Sequence, residues 1–329
     1  MSIHEFKICG KFACRLSFKD LVCFSVASFS LIVYATFVFA LYKYRKKEPL
    51  NSSFFTLCIS NGFCDIAMLL VKYFTFSFPQ WGWIPSWITY QPSIFMYMYF
   101  RIGNMLYFYL QYVQYIGSIL LAWNRYAAIV TPFWYEITWQ PRSIAMCLAV
   151  QWLLPLVVPV PISWLPIKVQ AIGNNTSSVH GYIDVPYLTH YIFGNALTGL
   201  ISVLLILCLY ARALSSIWSN QIRSSTRKSR SRSNNIEVKL VFSGCVIFVC
   251  MFNYVLFFWI TLVTMAKGKY LSIRVLFEIF GDVYCWSNVY VLLAMSSACR
   301  KHFLAVLSCT TLTAPSTVHP SPVIRGLKK

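Results

Sequence analysis

Acidic residues are scarce in this sequence, which has nine Asp and Glu among 329 residues against 28 Lys and Arg. Charged residues of both signs make up only 11% of the chain, whereas a soluble domain carries about a quarter. This shortage of charge excludes an ordinary water-soluble surface. Because hydrophobic residues fill 58% of the positions, the composition predicts an integral membrane protein.

The sequence also lacks the motifs of catalysis and of metal or cofactor binding. It contains no Cys-x-x-Cys pair, no His-Glu-x-x-His segment, no phosphate-binding loop and no spaced set of His, Asp and Ser. We therefore expect neither an enzyme nor a bound cofactor or metal. The basic residues fall in short clusters between apolar runs, which favours a role in membrane topology over binding to nucleic acid.

Seven stretches of the chain meet the length of about 20 residues that a helix needs to cross the hydrocarbon core of a bilayer. The predicted fold class is therefore all-α, a seven-transmembrane helix bundle. An N-terminal arm (1–20) precedes the spans, and a tail (298–329) with a predicted short amphipathic helix follows them. The predicted spans are about 21–42, 54–78, 102–130, 143–165, 188–214, 238–265 and 273–297.

Basic residues are unequally divided between the two sides of these spans. Eighteen lie on the side of the C-terminus, nine lie on the side of the N-terminus, and Lys72 falls inside the second span. Since cytoplasmic loops retain Lys and Arg, this count predicts an outside N-terminus and an inside C-terminus. Glycosylation sequons begin at Asn174 and Asn175, in a loop that this topology places outside.

A polar and aromatic stripe follows the third span at intervals of three to four residues, so it faces one side of a helix. Such a stripe suits a pocket for a small molecule, and it also suits hydrogen bonding between helices. On the seventh span, Glu278 and Asp282 either meet a cationic ligand or pair with Arg101, Lys267 or Lys269. The predicted pocket residues are Asn104, Tyr107, Gln111, Gln114, Tyr115, Glu278 and Asp282.

Asp65 lies midway along the second span, where an ionised group needs a partner or a water-filled path. It either holds water or an ion, or bonds to polar groups of the third and seventh spans. Asn288, on the seventh span, is the second residue predicted for this intramembrane polar site.

Two features near the predicted inner face suggest contact with lipid or with a protein partner. The basic, Ser-rich segment from Arg223 to Arg232 either contacts anionic lipid or a protein partner, or is a solvated loop on the positively charged inner side. Cys299 and Cys309 flank the predicted amphipathic helix and are candidates for palmitoylation.

The outer half of the fourth span contains four prolines: Pro155, Pro159, Pro161 and Pro166. They should kink or end that helix.

The segment from Asn124-Arg125-Tyr126 to Trp139 resembles the end of the third helix and the second inner loop of nematode serpentine chemoreceptors. It is most similar to the class gamma superfamily with its class v relatives, and Asn51-Ser-Ser-Phe-Phe55 is similar in style. The resemblance implies a plasma-membrane receptor, often in sensory cilia, that binds a small molecule and activates a heterotrimeric G protein. It also implies a coupling role for Asn124, Arg125 and Tyr126, although position alone favours Arg125 as an interfacial anchor.

Arg125 and Asp65 are similar in place to the third-helix arginine and the second-helix acid of rhodopsin-like receptors. Three features of those receptors are missing here. Asn124 stands where they have an acid before the arginine, and the Asn-Pro-x-x-Tyr motif and the proline of the sixth helix are absent from the sequence. The switch of rhodopsin-like receptors therefore does not transfer unchanged. A seven-helix transporter and a ligand-gated channel stay open as alternative functions.

Overall fold

A computed structural model describes residues 18–48, 50–81, 83, 94–171, 179–183, 185–224, 231–266 and 270–308. Seven helical spans lie side by side in these residues, and they confirm the predicted seven-transmembrane bundle. The helices, named spans one to seven below, are Phe18–Tyr44, Ser53–Lys72, Ile94–Val130, Pro141–Leu153, Val185–Ser224, Ser231–Ala266 and Tyr270–Met295.

Most of these spans are apolar over a length sufficient to cross a bilayer. Within the described residues, five helical segments are long and apolar enough to cross a bilayer: Leu21–Tyr44, Ser53–Gln80, Pro141–Trp164, Tyr187–Ser219 and Phe242–Thr264. Span three does not reach this apolar threshold because it carries the polar stripe. It packs against spans two and five, with further contacts to the fourth and sixth. Its polar side chains therefore meet protein rather than lipid.

Several helices are longer than the apolar runs that predicted them. Span three begins at Ile94 rather than Ile102, because its first turns pack through Met96 and Phe100 against Ile162 and Ile167. Span five continues to Ser224, and span six begins at Ser231. Hydrophobic length alone misses such extensions, since a helix continues beyond the hydrocarbon wherever protein or water satisfies its side chains.

Spans two and four each change their helical winding near one end. After Leu153, span four continues as two 3₁₀ turns, Leu154–Val157 and Pro161–Trp164, as its prolines led us to expect. Span two passes after Lys72 into a π-helical turn, Tyr73–Ser77, followed by Phe78–Gln80. No sequence signal predicted the π-helical turn, a feature found often at functional sites.

The two ends of the bundle carry different connections. At one end, strands β1 (Ile167–Ala171) and β2 (Val179–Ile183) form an antiparallel hairpin, and we call this the hairpin end. At the other, the Arg125 end, a short helix (Pro132–Thr138) follows span three. A last helix (Ser297–Leu307) is bent by 102° from the described part of span seven and packs against span one.

A cluster of buried polar side chains joins spans two, three and four. Gln151 donates from Nε2 to Asn61 Oδ1 at 2.6 Å and accepts a 2.9 Å bond from Ser60 at its Oε1. Gly117 of span three lies directly against this pair, and a β-carbon added there would overlap both amides. The missing side chain of Gly117 therefore lets three spans meet around a satisfied polar contact.

Replacing Gly117 with Ala should lower the thermal unfolding midpoint (Tm) of the purified protein by about 2–6 °C, as overpacking typically does. The matched control is Gly194→Ala, because the nearest atom to a β-carbon there is the Tyr112 hydroxyl at 3.6 Å. Thermal unfolding in detergent would compare the two variants. An equal Tm for both would refute the close packing at Gly117.

Candidate functional site

The carboxylate of Asp65 is the centre of a polar cluster inside the bundle. Tyr34 of span one and Asn288 of span seven donate to its Oδ2, the latter at 3.0 Å, and Gln114 of span three donates to Oδ1 at 2.6 Å. Gln114 Nε2 also lies 3.3 Å from the sulfur of Cys285. We call Asp65, Tyr34, Gln114 and Asn288 the Asp65 cluster.

Burial makes these three donors necessary. Asp65 is 3% exposed, and an isolated carboxylate removed from water carries a penalty of several kcal/mol. Hydrogen bonds to a charged acceptor contribute about 1.5–3 kcal/mol each. The two alternatives for Asp65 were an ion or water site and bonds to the third and seventh spans. The structure has those bonds, and it adds Tyr34, which the sequence analysis did not select.

A second network lies closer to the hairpin end, around Gln111 of span three. Gln111 donates to the Tyr254 hydroxyl at 2.7 Å and accepts at its Oε1 a 2.7 Å bond from Asn195. The Tyr115 hydroxyl lies 3.4 Å from Gln111 Nε2. The Tyr107 hydroxyl lies 3.4 Å from the Tyr254 hydroxyl. Span three thus bonds to spans five and six at this level, through Asn195 and Tyr254.

This network brings together most of the pocket residues predicted on the third span. Gln111, Gln114 and Tyr115 are buried and face other helices, as expected for either a pocket or helix packing. Asn104 is also buried but donates to the Phe100 carbonyl of its own helix at 2.7 Å. In the conformation described, protein side chains occupy this level of the bundle. A ligand that binds here must replace some of their contacts.

An ion pair joins spans two and seven on the hairpin side of the Asp65 cluster. Lys72 Nζ lies 2.5 Å from Asp282 Oδ1, and the Tyr73 hydroxyl donates to Asp282 Oδ2 at 3.1 Å. Asp282 was expected to pair with Arg101, Lys267 or Lys269, or to meet a ligand, and among the described side chains it pairs with Lys72. The guanidinium of Arg101 instead donates to the Leu165 carbonyl at 3.2 Å.

The side chains of the other residues in that expectation are not described. Glu278 lies within the helix of span seven, and Lys267 and Lys269 fall between the described residues 266 and 270. The predicted pairing of Glu278 therefore stays a prediction.

At the Arg125 end, Asn124 and Arg125 point to different neighbours. Asn124 donates from Nδ2 to the Ser53 hydroxyl at 2.8 Å, and Ser53 lies 2.6 Å from the Tyr135 hydroxyl. The guanidinium carbon of Arg125 lies 3.2 Å from the centroid of the Phe54 ring. A cation above an aromatic face is attracted by the ring quadrupole. Tyr126 is half-buried.

Arg125 has no acidic neighbour among the described residues. The titratable groups around it are Cys58, Cys299, Tyr135 and Tyr210, and its Nε has no hydrogen-bond partner in the described part of the chain. Within the described residues, no other carboxylate therefore takes over the role that an acid before the arginine plays in rhodopsin-like receptors. The ring of Phe54 holds the guanidinium instead.

A cavity beside Arg125 connects it to the Asp65 cluster. Its volume of about 40 Å³ has room for roughly three water molecules, since each needs about 10–15 Å³. The polar side chains of its lining are Tyr34, Asn61, Ser118, Tyr210, Ser243 and Asn288. Because Tyr34 and Asn288 also bond to Asp65, a rearrangement of the cavity walls would disturb both sites.

The predicted modification sites are of two kinds: three lie outside the described residues, and one is buried. Asn174 and Asn175 lie between β1 and β2, and Cys309 follows the last helix, so all three are outside the described residues. Cys299 is 1% exposed and packs with Tyr44 and Phe54 in the cluster of spans one, two and seven. That burial disfavours palmitoylation of Cys299, because an attached acyl chain would require the last helix to move.

The residues of these sites that were not selected from the sequence include Tyr34, Lys72, Asn195 and Tyr254. One signal was available for Lys72, which follows Asp65 by seven residues and so shares its helix face. Tyrosines are too frequent in this chain, at 21, for any one of them to be distinguished by type.

These features define a seven-helix receptor-like membrane protein with a polar interior and a basic residue at the end of span three. The sequence profile of the serpentine type 7TM GPCR chemoreceptor Srv matches residues 23–309. The chain is also 27% identical to Serpentine receptor class V-1 of Caenorhabditis elegans over 293 residues, which cover 88% of this chain and 91% of that relative. The chain belongs to the Srv family of serpentine chemoreceptors.

Replacing Asp65 with Ala should lower the Tm by on the order of 5–10 °C, because three buried donors would lose their acceptor. Thr36→Ala is a suitable control, since Thr36 bonds to the Ile32 carbonyl of its own helix at 2.8 Å. Thermal unfolding of the two purified variants gives the comparison. A change for Asp65→Ala as small as that of the control would show that the cluster contributes little to stability.

Proposed function

We propose that this chain is a chemosensory receptor that binds a small molecule at the hairpin end and activates a heterotrimeric G protein at the Arg125 end. Membership of the Srv family supports the receptor class. The observation that carries the coupling proposal is the state of Arg125. Its guanidinium rests on Phe54 beside a small cavity and has no acidic partner among the described residues.

The restraint on Arg125 is weak enough to be reversed by a change in the bundle. A cation–π contact contributes about 0.5–2 kcal/mol, depending on how much water is excluded. A cavity of about 40 Å³ is too small for a segment of a partner protein. Coupling therefore requires the walls formed by spans three, five and six to separate, which would free the guanidinium for a partner.

The direction of signalling follows from the predicted topology. The distribution of basic residues supports an inside Arg125 end and an outside hairpin end. In this orientation, a cue from outside meets the Gln111 network and the Lys72–Asp282 pair. Binding shifts an equilibrium between two arrangements only if the ligand favours one of them. The Asp65 cluster, which shares Tyr34 and Asn288 with the cavity wall, is our candidate for the element that both ends influence.

Replacing Arg125 with Ala should abolish agonist-driven G-protein activation while leaving the amount of receptor at the cell surface unchanged. The matched control is Arg142→Ala, which removes an exposed arginine near the same end of the bundle. The assay measures nucleotide exchange on G proteins in cells challenged with a broad panel of metabolites. Undiminished signalling by Arg125→Ala would contradict the proposed coupling role.

The proposed orientation can be tested through the sequons. If the hairpin end is outside, changing Asn174 and Asn175 together to Gln should remove a glycan, and the chain should migrate faster in gel electrophoresis. Asn51→Gln is the control, because its sequon lies in the first loop on the opposite side. A glycan that depends on Asn51 would reverse the orientation. That orientation would also favour a channel with an inside N-terminus.

A further inference from the structure

The cavity at the Arg125 end places one positive charge beside an open space. Arg125 is the only charged residue among the described residues that line this cavity, and most of the others are apolar, Phe54, Leu121 and Met251 among them. The volume of about 40 Å³ has room for a small ion or a few water molecules. The described walls therefore supply a cation and no counterion.

The guanidinium of Arg125 keeps its hydrogen-bonding capacity for an occupant of this space. Its carbon rests 3.2 Å from the centroid of the Phe54 ring, and an aromatic ring is not a conventional acceptor for the five N–H donors. The Nε atom is buried and has no hydrogen-bond partner within the described residues. Buried charges in proteins are normally paired, because an unpaired charge loses its hydration without compensation. An anion in the cavity supplies the missing partner.

Tyr210 of span five brings a second donor to the same space. It is one of the titratable groups that surround Arg125, and both residues line the cavity. A β-carbon added at Gly244 of span six would overlap the Tyr210 hydroxyl, so this glycine makes room for the hydroxyl at the cavity wall. A phenolic O–H group donates readily to an anion. Spans three and five thus border the space with one donor group each.

The charges at this end of the bundle also favour anions. By sequence, eighteen Lys and Arg fall on this side of the spans, against three acidic residues, Glu48, Glu136 and Glu237. Such an excess of one sign raises the local concentration of small ions of the opposite sign. The side chain of Arg125 is half-buried rather than enclosed, so small ions can reach it.

We propose that the cavity bordered by Arg125 and Tyr210 binds one small monovalent anion, either a halide or a short carboxylate such as formate. The guanidinium supplies the opposite charge, the Tyr210 hydroxyl donates a hydrogen bond, and the apolar walls limit the size of the occupant. This site lies at the opposite end of the bundle from the proposed site for the outside cue. The bound anion stabilises the closed arrangement of spans three, five and six. A G protein that takes the guanidinium must displace the anion, a consequence that rests on the proposed function.

The test uses the purified full-length chain in detergent and measures its Tm as sodium gluconate is replaced by sodium chloride or sodium formate. Constant ionic strength keeps the general screening of surface charges equal. Gluconate is too large for a space of about three water molecules. Chloride or formate should raise the Tm by about 2 °C or more relative to gluconate, because a ligand that binds the folded state stabilises it. Equal Tm values in the three salts would overturn the proposal.

The same titrations distinguish the two kinds of anion. A lower half-maximal concentration for formate assigns the site to carboxylates, whose two oxygens match the guanidinium fork. A lower half-maximal concentration for chloride assigns it to halides. Either order supports the site.

Three variants locate the effect at the cavity. Arg125→Met should lose the anion-dependent shift, and it is expected to fold because it removes an unpaired charge and keeps a long side chain. Arg142→Met is the matched control, since Arg142 is an exposed arginine near the same end, and it should keep the shift. Tyr210→Phe should keep the shift at about tenfold higher anion concentration, because one hydrogen bond to a charged acceptor is lost.

A shift that survives in Arg125→Met, or one that disappears in Arg142→Met, would overturn the proposed site. An unchanged half-maximal concentration in Tyr210→Phe would contradict the contribution of its hydroxyl. The wild-type salt series and Tyr210→Phe decide the question even if Arg125→Met fails to fold.

This experiment contains no G protein, so it separates the two proposals. An anion-dependent Tm in a receptor whose Arg125→Ala variant still signals would support the anion site and contradict only the coupling role. Signalling that is lost in Arg125→Ala, without any anion-dependent Tm in the wild type, would overturn the anion site and leave the coupling proposal standing.

Discussion

A carboxylate buried among helices is the constraint on which this bundle depends. Asp65 cannot stay ionised in such a place without donors, and spans one, three and seven each contribute one. Each donor reaches the carboxylate from only a narrow range of helix positions and rotations. The need to satisfy this one carboxylate therefore determines how spans one, three and seven are placed around span two.

The same requirement extends toward both ends of the molecule. Lys72, on the Asp65 face of span two, is neutralised by Asp282 of span seven, and Gln111 joins span three to spans five and six. In the other direction, Tyr34 and Asn288 reach the cavity that borders Arg125. Packed contacts of this kind tend to have discrete arrangements rather than continuous ones. A polar path with alternative pairings is thus a suitable basis for a receptor with a resting and a signalling state.

Features that depend on local sequence were predicted well. The seven spans followed from apolar length, the break in span four followed from its prolines, and the Asn-Arg-Tyr segment led to the correct family. The inward direction of Gln111 and Gln114 followed from helical periodicity. Each of these signals lies within about 20 consecutive residues, where the geometry of a helix alone sets which side chains share a face.

Features that depend on contacts between distant segments were not predicted. Lys72 and Asp282 are separated by 210 positions, and the sequence offered several other basic partners for Asp282. Tyr34 could not be distinguished from other tyrosines until the packing of span one was known. The β-hairpin and the π-helical turn also depend on tertiary packing, since neither has a strong local signal. The chemistry of the candidate sites lies mainly in these distant pairs.

The most direct test of the central claim is a double-mutant cycle on Tyr34 and Asp65, read as the free energy of unfolding. Tyr34→Phe should destabilise the wild-type protein by about 1–3 kcal/mol and have little effect once Asp65 is Leu, because the lost hydroxyl then has no acceptor. Coupling of that size would support the carboxylate as the organising contact of the bundle. An equal effect of Tyr34→Phe in both backgrounds would contradict it.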